Sequence, residues 1–374
     1  MAQYEETAIT VIDNIVNSGL SQSTKDSISS IIKEFTATTG SENVKVEDYT
    51  GGKASADTVV INVSKDVAVT EDPGAPVIVM SSEATQGANV TLKADAPRTV
   101  VASNQADHIV FEGDAAVTVE TGGGNDSIVL GNGDNVVNVT GTGDSSVATG
   151  TGNDRVVVSG EGKVQVSMVG GNNVVVLASD KAEVSVTGGT GFDQVQLVDD
   201  RTNHSFEIVN GKVVMHSESA TTLDKVQVVG FDMNGDGKIE VGTDKITVIA
   251  DNHDKSIVAK MYEIVFDREG DMGGIEYWLG RVDQGDSLEH VVHSFINSTE
   301  FDATYASKSN EDFLKDMYVN LAGREPDADG LAYWMNRLES GDITRADVAW
   351  SFAESAEASQ VMGIDGSNYV IDLF

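Results

Sequence analysis

Asp126, Asp154 and Asp193 each follow a glycine by two residues and precede an aliphatic residue by two. Asn135 and Asn173 stand in the same frame, between Gly133 and Val137 and between Gly171 and Val175. Oxygen-bearing side chains presented from glycine turns suit a hard cation. Calcium takes six to eight oxygens at about 2.3–2.6 Å from carboxylates, side-chain amides and backbone carbonyls. The frame recurs: Gly122, Gly141 and Gly160 are 19 apart, as are Gly124, Gly143 and Gly162. A second column, Gly133, Gly152 and Gly171, keeps the same spacing and reaches Gly191 after 20. Ser145 and Val164 take the aspartate place in the first column, so Asp144 is the neighbouring acid available to substitute there. Asp107 precedes Asp126 by 19, which starts the period before the glycines appear.

Gly188-Gly189-Thr190-Gly191-Phe192-Asp193-Gln194-Val195 fits the nonapeptide GGxGxDxUx, where U is a large aliphatic. Thr121–Ile128 and Thr149–Val156 each miss only its first glycine. This stretch resembles the RTX (hemolysin-type calcium-binding) repeats of bacterial proteins exported by type I secretion, most clearly over 120–200. The resemblance implies calcium at Asp126, Asn135, Asp144, Asp154, Asn173 and Asp193. A separate loop, Asp232-Met233-Asn234-Gly235-Asp236-Gly237-Lys238-Ile239-Glu240, reads as the first half of an EF-hand loop. Asp232, Asn234 and Asp236 hold alternate ligand positions, Lys238 offers its carbonyl, and Gly237 makes the sharp turn. Thr243 stands where the usual bidentate acid belongs, so Glu240 or Asp244 must replace it.

Elements must hold these groups in place. Each glycine-rich stretch reads as a turn and each short Val/Ile run as a strand. Two turns and two strands make one coil of about 19 residues, and coils stack as parallel strands about 4.8 Å apart. The expected fold is mainly β: a parallel β-solenoid, RTX-like in its β-roll, over 57–230. Residues 1–40 read as a helical segment, with helices over 4–17 and from Ser23 to Phe35, placed to cap an open solenoid end. Residues 231–250 hold the acidic loop and a linker.

From 255 to 360 the chain changes character and duplicates itself. Met261-Tyr262, Arg268-Glu269 and Tyr277-Trp278 recur 56 residues later as Met317-Tyr318, Arg324-Glu325 and Tyr333-Trp334. Each copy reads as helix, acidic loop, helix, turn, helix, with Tyr-Trp in the core. It resembles a small helical domain of uncharacterised function found in RTX-type exported proteins and in surface-layer and biofilm proteins. The tail, 361–374, ends Tyr369-Val370-Ile371-Asp372-Leu373-Phe374. It resembles a type I export signal, and reads equally as a closing strand.

Sixty acids against 24 bases give a net charge of −36, which disfavours nucleic acid and anionic membranes. There is no cysteine, no basic-then-apolar N-terminal leader and no apolar run long enough to span a bilayer. No GxSxG, HExxH or phosphate loop is present, so no enzyme is expected. The expectation is a calcium-binding protein of the cell exterior, exported by a type I apparatus without a cleaved signal peptide and polymerising with itself into a surface layer or matrix filament. The alternatives are a monomeric adhesin binding cell-surface polysaccharide or lipopolysaccharide, and a β-helix polysaccharide-modifying enzyme.

Overall fold

A computed structural model describes residues 3–16, 18–55, 57–63, 68–80, 84–361 and 369–373. The chain forms two units, one built from residues up to Leu197 plus His204–Val226, the other from Val198–Asn203 plus the residues from Gln227 on.

The first unit opens with β1 (Gln3–Thr7), α1 (Ala8–Val16), α2 (Gln22–Thr39) and β2 (Asn43–Tyr49). Short strands follow: β3 (Thr58–Val63), β4 (Val77–Met80), β5 (Asn89–Lys93), β6 (Arg98–Val101), β7 (His108–Glu112) and β8 (Val117–Glu120). Then come β9 (Ser127–Val129), β10 (Val136–Val139), β11 (Ser145–Ala148), β12 (Arg155–Val158), β13 (Gly162–Ser167), β14 (Val174–Leu177), β15 (Ala182–Thr187) and β16 (Gln194–Leu197). They wind into a β-solenoid of about seven turns at about 19 residues per coil. In one sheet Val137, Val156, Val175 and Val195 pair in parallel register, coil after coil. In the other, Ile109, Ile128, Val147, Val166 and Val186 do the same. These side chains are buried and fill the interior. A single coil has only one or two such residues per sheet, as Val156 and Val158 show, so only stacking builds a core.

The unit departs from the sequence reading in three places. Residues 3–7 form a strand, antiparallel to β2, rather than the start of a helix. The open edge of β2 supplies hydrogen bonds that outweigh local helix preference. Parallel pairing starts at β2 on β3, upstream of 57. The last coil is interrupted by a hairpin of β17 (Ser205–Val209) and β18 (Lys212–His216), before β19 (Ala220–Asp224) resumes parallel pairing with β15. Asn210 and Gly211 turn that hairpin at φ 53° and 77°, the left-handed pair a tight two-residue turn requires.

The helices do not cap the end of the stack. They lie on the outward face of one sheet, where Val11, Ile28 and Ile32 pack on Val44, Val46, Val60 and Val77. Ser27 bonds Thr99 at 2.8 Å, and Ser23 donates to Asn138 Oδ1 at 3.0 Å. The N-cap residue Ser21 makes no side-chain cap bond. Instead the buried Glu120 carboxylate of β8 accepts from Ser21 N at 3.3 Å and from Thr24 Oγ1 at 2.8 Å. A carboxylate is favoured there by the helix dipole as well as by the orphan amides.

In the second unit β20 (Val228–Phe231), β21 (Lys245–Ala250) and, at the chain's end, Tyr369–Leu373 form an antiparallel sheet. Within the tail, Tyr369–Leu373 is a closing strand, and the rest of 362–374 lies outside the described residues: Asp372 accepts from Arg201 Nε at 2.8 Å and from Thr247 Oγ1 at 2.6 Å. The helices are α3 (His253–Phe266), α4 (Met272–Asp283), α5 (Leu288–Ile296), α6 (Thr299–Tyr305), α7 (Asn310–Ala322), α8 (Ala328–Ser340), α9 (Arg345–Ala353) and α10 (Ala356–Val361). Equivalent helices of the two copies pack on each other, α3 on α7 and α5 on α9. Asp271 and Asp327 cap α4 and α8 through Gly274 N and Gly330 N. The expected burial of Tyr-Trp is half right. Trp278 and Trp334 pack on Phe295 and Phe352, but Tyr277 and Tyr333 are 54% and 52% exposed, because α4 and α8 turn them outward. Among the described residues, no helix is long and apolar enough to cross a membrane.

Replacing Glu120 by Ala strands the α2 N-terminus and the Thr24 hydroxyl. It should cost about 2 kcal/mol in urea unfolding and deprotect α2 amides in hydrogen exchange before those of the coils. Unchanged α2 protection would refute this docking role.

Candidate metal centre

The frame aspartates and asparagines all point inward and are buried: Asp126 is 3% exposed, Asn135 1%, Asp154 2%, and Asn173 and Asp193 0%. The turn geometry explains the placement. A Cβ on Gly171 or Gly191 would stand 2.2 or 2.3 Å from the carbonyl oxygen of the preceding coil, and both residues have positive φ. Only glycine lets the coils close to this distance and aims the next residues at the interior.

Each inward side chain reaches back one coil. Asp126 Oδ1 accepts from Asp107 N at 2.9 Å, Asp154 Oδ1 from Asn135 N at 2.9 Å, and Asn173 Oδ1 from Asp154 N at 2.8 Å. Asp107, offset by one period from Asp126, belongs to this row and takes Ala88 N and Ser103 N. An exposed row works in the opposite direction: Asn125 Oδ1 accepts from Asp144 N, and Asp144 Oδ1 from Lys163 N, both at 2.9 Å. Asp144 thus sits on the outer row and does not stand in for Ser145, which itself fills the inward position against Asp126. The exposed residues form two series with the 19-residue spacing visible in the sequence, Asn125 with Asp144 and Asp134 with Asn153 and Asn172.

The two columns differ in electrostatics. In the second column Asn135 Nδ2 donates to Gly131 O, Gly133 O and Asp154 Oδ1, at 3.0, 2.6 and 2.9 Å. Asn173 Nδ2 does the same for Gly170 O, Gly171 O and Asp193 Oδ1. Amide hydrogens thereby take up the carbonyls and carboxylates a dication would use. The asparagine carbonyls accept Val117 N and Asp154 N, which fixes the amide orientation. One gap remains: Asp154 Oδ2 and Thr149 Oγ1 are enclosed and complete no hydrogen bond. The Thr149 hydroxyl lies near enough to favour the ionised carboxyl, but its geometry is not that of a bond. The first column has no such amide. Burial drives the Asp126 carboxyl up to about 6, and the neighbouring Asp107 charge adds to the shift. Burial also raises Asp107, Asp154 and Asp193.

The loop at 232–244 is organised around Asp232, which is buried. Its Oδ1 accepts from Gly235 N at 2.7 Å and Asp236 N at 3.2 Å, and its Oδ2 from Gly237 N at 2.7 Å. Asn234 Oδ1 takes Asp236 N and Asp236 Oδ1 takes Lys238 N. Of the two acids proposed to complete the loop, the structure brings in Asp244. It is buried, and its carboxylate spans Met233 N and Glu240 N at 2.8 Å each, while Glu240 itself is exposed. Among the described residues, no three His, Asp or Glu side chains converge on one point. As in the second column, the side-chain oxygens of Asp232, Asn234 and Asp244 and one oxygen of Asp236 are taken by backbone amides, here those of the loop itself.

Residues 247–305 and 292–362 each match the model of a domain of unknown function (DUF4214). No curated protein and no solved structure matches the chain. The first match covers α3–α6, and the second begins within α5 and runs through α10.

With chelator present, the raised carboxyls make folding bind protons. Their contribution to stability is full below the ordinary carboxylate range and is lost as pH rises through about 6. Asp126→Asn should flatten that part of the pH–stability curve. Parallel curves for variant and wild type between pH 4 and about 6 would show that Asp126 titrates as an ordinary acid.

Proposed function

We propose that this is a calcium-binding structural protein of the cell exterior that assembles with itself into a layer or filament. The observation that carries the assembly reading is β17. It is the terminal strand of the nine-stranded sheet, and among the described strands none pairs on its outer side. Its Ile208 and Val209 are 48% and 41% exposed. An exposed, apolar strand edge is a template for pairing with another chain, and soluble monomers ordinarily blunt such edges with charge, proline or a bulge.

Calcium supports this reading through charge. A chain at −36 repels its own copies. Ions held by Asp232, Asn234, Asp236, the Lys238 carbonyl and Asp244, and beside the stacked Asp107 and Asp126 carboxyls, would neutralise part of that charge and stabilise the fold. One site at 100-fold excess over Kd contributes about 2.7 kcal/mol. Millimolar calcium outside a cell meets that condition for a site with a Kd of about 10 μM, and cytosolic calcium does not. The absence of cysteine agrees with a fold stabilised by ions rather than disulfides.

Light scattering in millimolar calcium should report large species that chelator disperses. Ile208→Lys should abolish them while leaving the β-sheet circular dichroism intact. A wild-type protein that stays monomeric at high concentration in calcium sinks the assembly reading. Separately, Asp232→Ala with Asp236→Ala should remove one bound ion by calorimetric titration. An unaltered stoichiometry would leave the loop as a plain turn.

A further inference from the structure

The duplicated helices share several features, and one of them reaches outside the core. Some core positions differ between the copies, Ile257 and Val258 against Phe313 and Leu314, while Met261 and Tyr262 recur as Met317 and Tyr318. The exposed Tyr277 and the half-buried Arg281 recur unchanged as Tyr333 and Arg337. In both copies the arginine bonds the tyrosine, and Arg281 also bonds Asp286. Arg281 Nη1 donates to Tyr277 Oη at 3.1 Å, and Arg337 Nη1 to Tyr333 Oη at 2.8 Å. Each tyrosine ring meets the following tryptophan edge-on at 78°, with centroids 4.7 and 4.9 Å apart. The ring is therefore held at its hydroxyl and along one side, while about half the side chain faces water.

We propose that Tyr277 with Arg281, and Tyr333 with Arg337, are two equivalent polysaccharide-binding platforms, each stacking one pyranose ring. A fixed aromatic face offers the C–H face of a sugar an apolar partner at little entropic cost, because tyrosine has few torsions to freeze. The guanidinium beside it supplies donors for sugar hydroxyls. The size of the patch argues for a sugar over a protein. A stable protein partner covers about 800 Å² per side, whereas one ring and one guanidinium match a single monosaccharide. Repetition argues the same way. A polymer of repeating sugars can occupy two identical sites on one chain, and linking two weak sites raises the apparent affinity by roughly 10²–10⁴. An i,i+4 tyrosine–arginine contact that merely stabilises its helix is the competing account. The inference is independent of calcium binding and of strand-edge assembly.

The test uses the full chain, in calcium, on an array of bacterial capsular polysaccharides, lipopolysaccharide O-chains and plant glycans. Saturable binding to at least one polymer is expected. All three tryptophans lie in the helical unit, so soluble fragments of that polymer should change the intrinsic fluorescence. Tyr277→Ala or Tyr333→Ala alone should weaken binding by roughly 10²-fold, and the double variant should abolish it. Tyr→Phe at both sites keeps the ring and should bind better than the alanine pair. Helical circular dichroism and melting should stay at wild-type values throughout. Binding to no array member, or a double alanine variant that binds like wild type, overturns the proposal. A double variant that melts earlier yet keeps its binding assigns the pair to helix stability instead.

Discussion

Stacking is the constraint on which the solenoid depends. Equivalent residues of successive coils lie about 4.8 Å apart, so a charge written into an inward position of the repeat meets its own copies where water is excluded. The second column resolves this by alternation. Asn135, Asp154, Asn173 and Asp193 succeed one another, and each asparagine amide donates to the carboxylate of the next coil. The first column resolves it by depletion, with Ser145 and Val164 taking the inward place after Asp126. Only Asp107 and Asp126 stack acid on acid, and there the carboxyl is pushed up to about 6. Burial is the larger cause of that shift, and the Asp107 charge adds to it.

The same spacing accounts for the hydrogen bonds of the turns. Strand amides find partners in the ladders, but turn amides face the neighbouring coil without a strand to meet them, and buried ones must be satisfied. Inward side chains reach back to the preceding coil, as Asp154 does to Asn135 N. Outward ones reach forward, as Asn153 does to Asn172 N. Each turn is thus tied in both directions by side chains, and residue type at the two positions follows: short, with an acceptor oxygen two bonds from Cβ. Asn and Asp meet that requirement, and Ser145 meets it less well, at 3.4 Å from Asp126 N.

Much of this was legible from spacing alone. The 19-residue period fixed the coil, the register of Val137, Val156 and Val175, and the burial of the frame residues, because a period constrains every copy at once. What spacing could not show was which partner an oxygen meets. A motif that reads as a ligand column is also an Asx ladder, and the choice between them turns on where the amide of Asn135 points. Nor could local sequence place the terminal segments. Gln3–Thr7 and Tyr369–Leu373 are strands because β2 and β21 offer them open edges. The two tyrosines were misjudged for a related reason. Tyr-Trp on a helix puts adjacent residues about 100° apart, so both cannot face one core, and the tryptophan faces it.

The chain holds two kinds of repetition, with opposite consequences for its surface. Coils repeat by translation, and a translational stack always has two ends, each presenting a face meant for another coil. In this solenoid each sheet ends on an antiparallel strand, β1 on β2 in one and β17 on β18 in the other. The helical copies instead pack equivalent on equivalent, α3 on α7 and α5 on α9, the self-complementary contact of a two-fold dimer fused into one chain. Such an arrangement uses up the faces it repeats and closes, leaving α4 and α8 as duplicate outer flanks. Closure leaves those flanks with two copies of one small surface, Tyr277 beside Arg281 and Tyr333 beside Arg337.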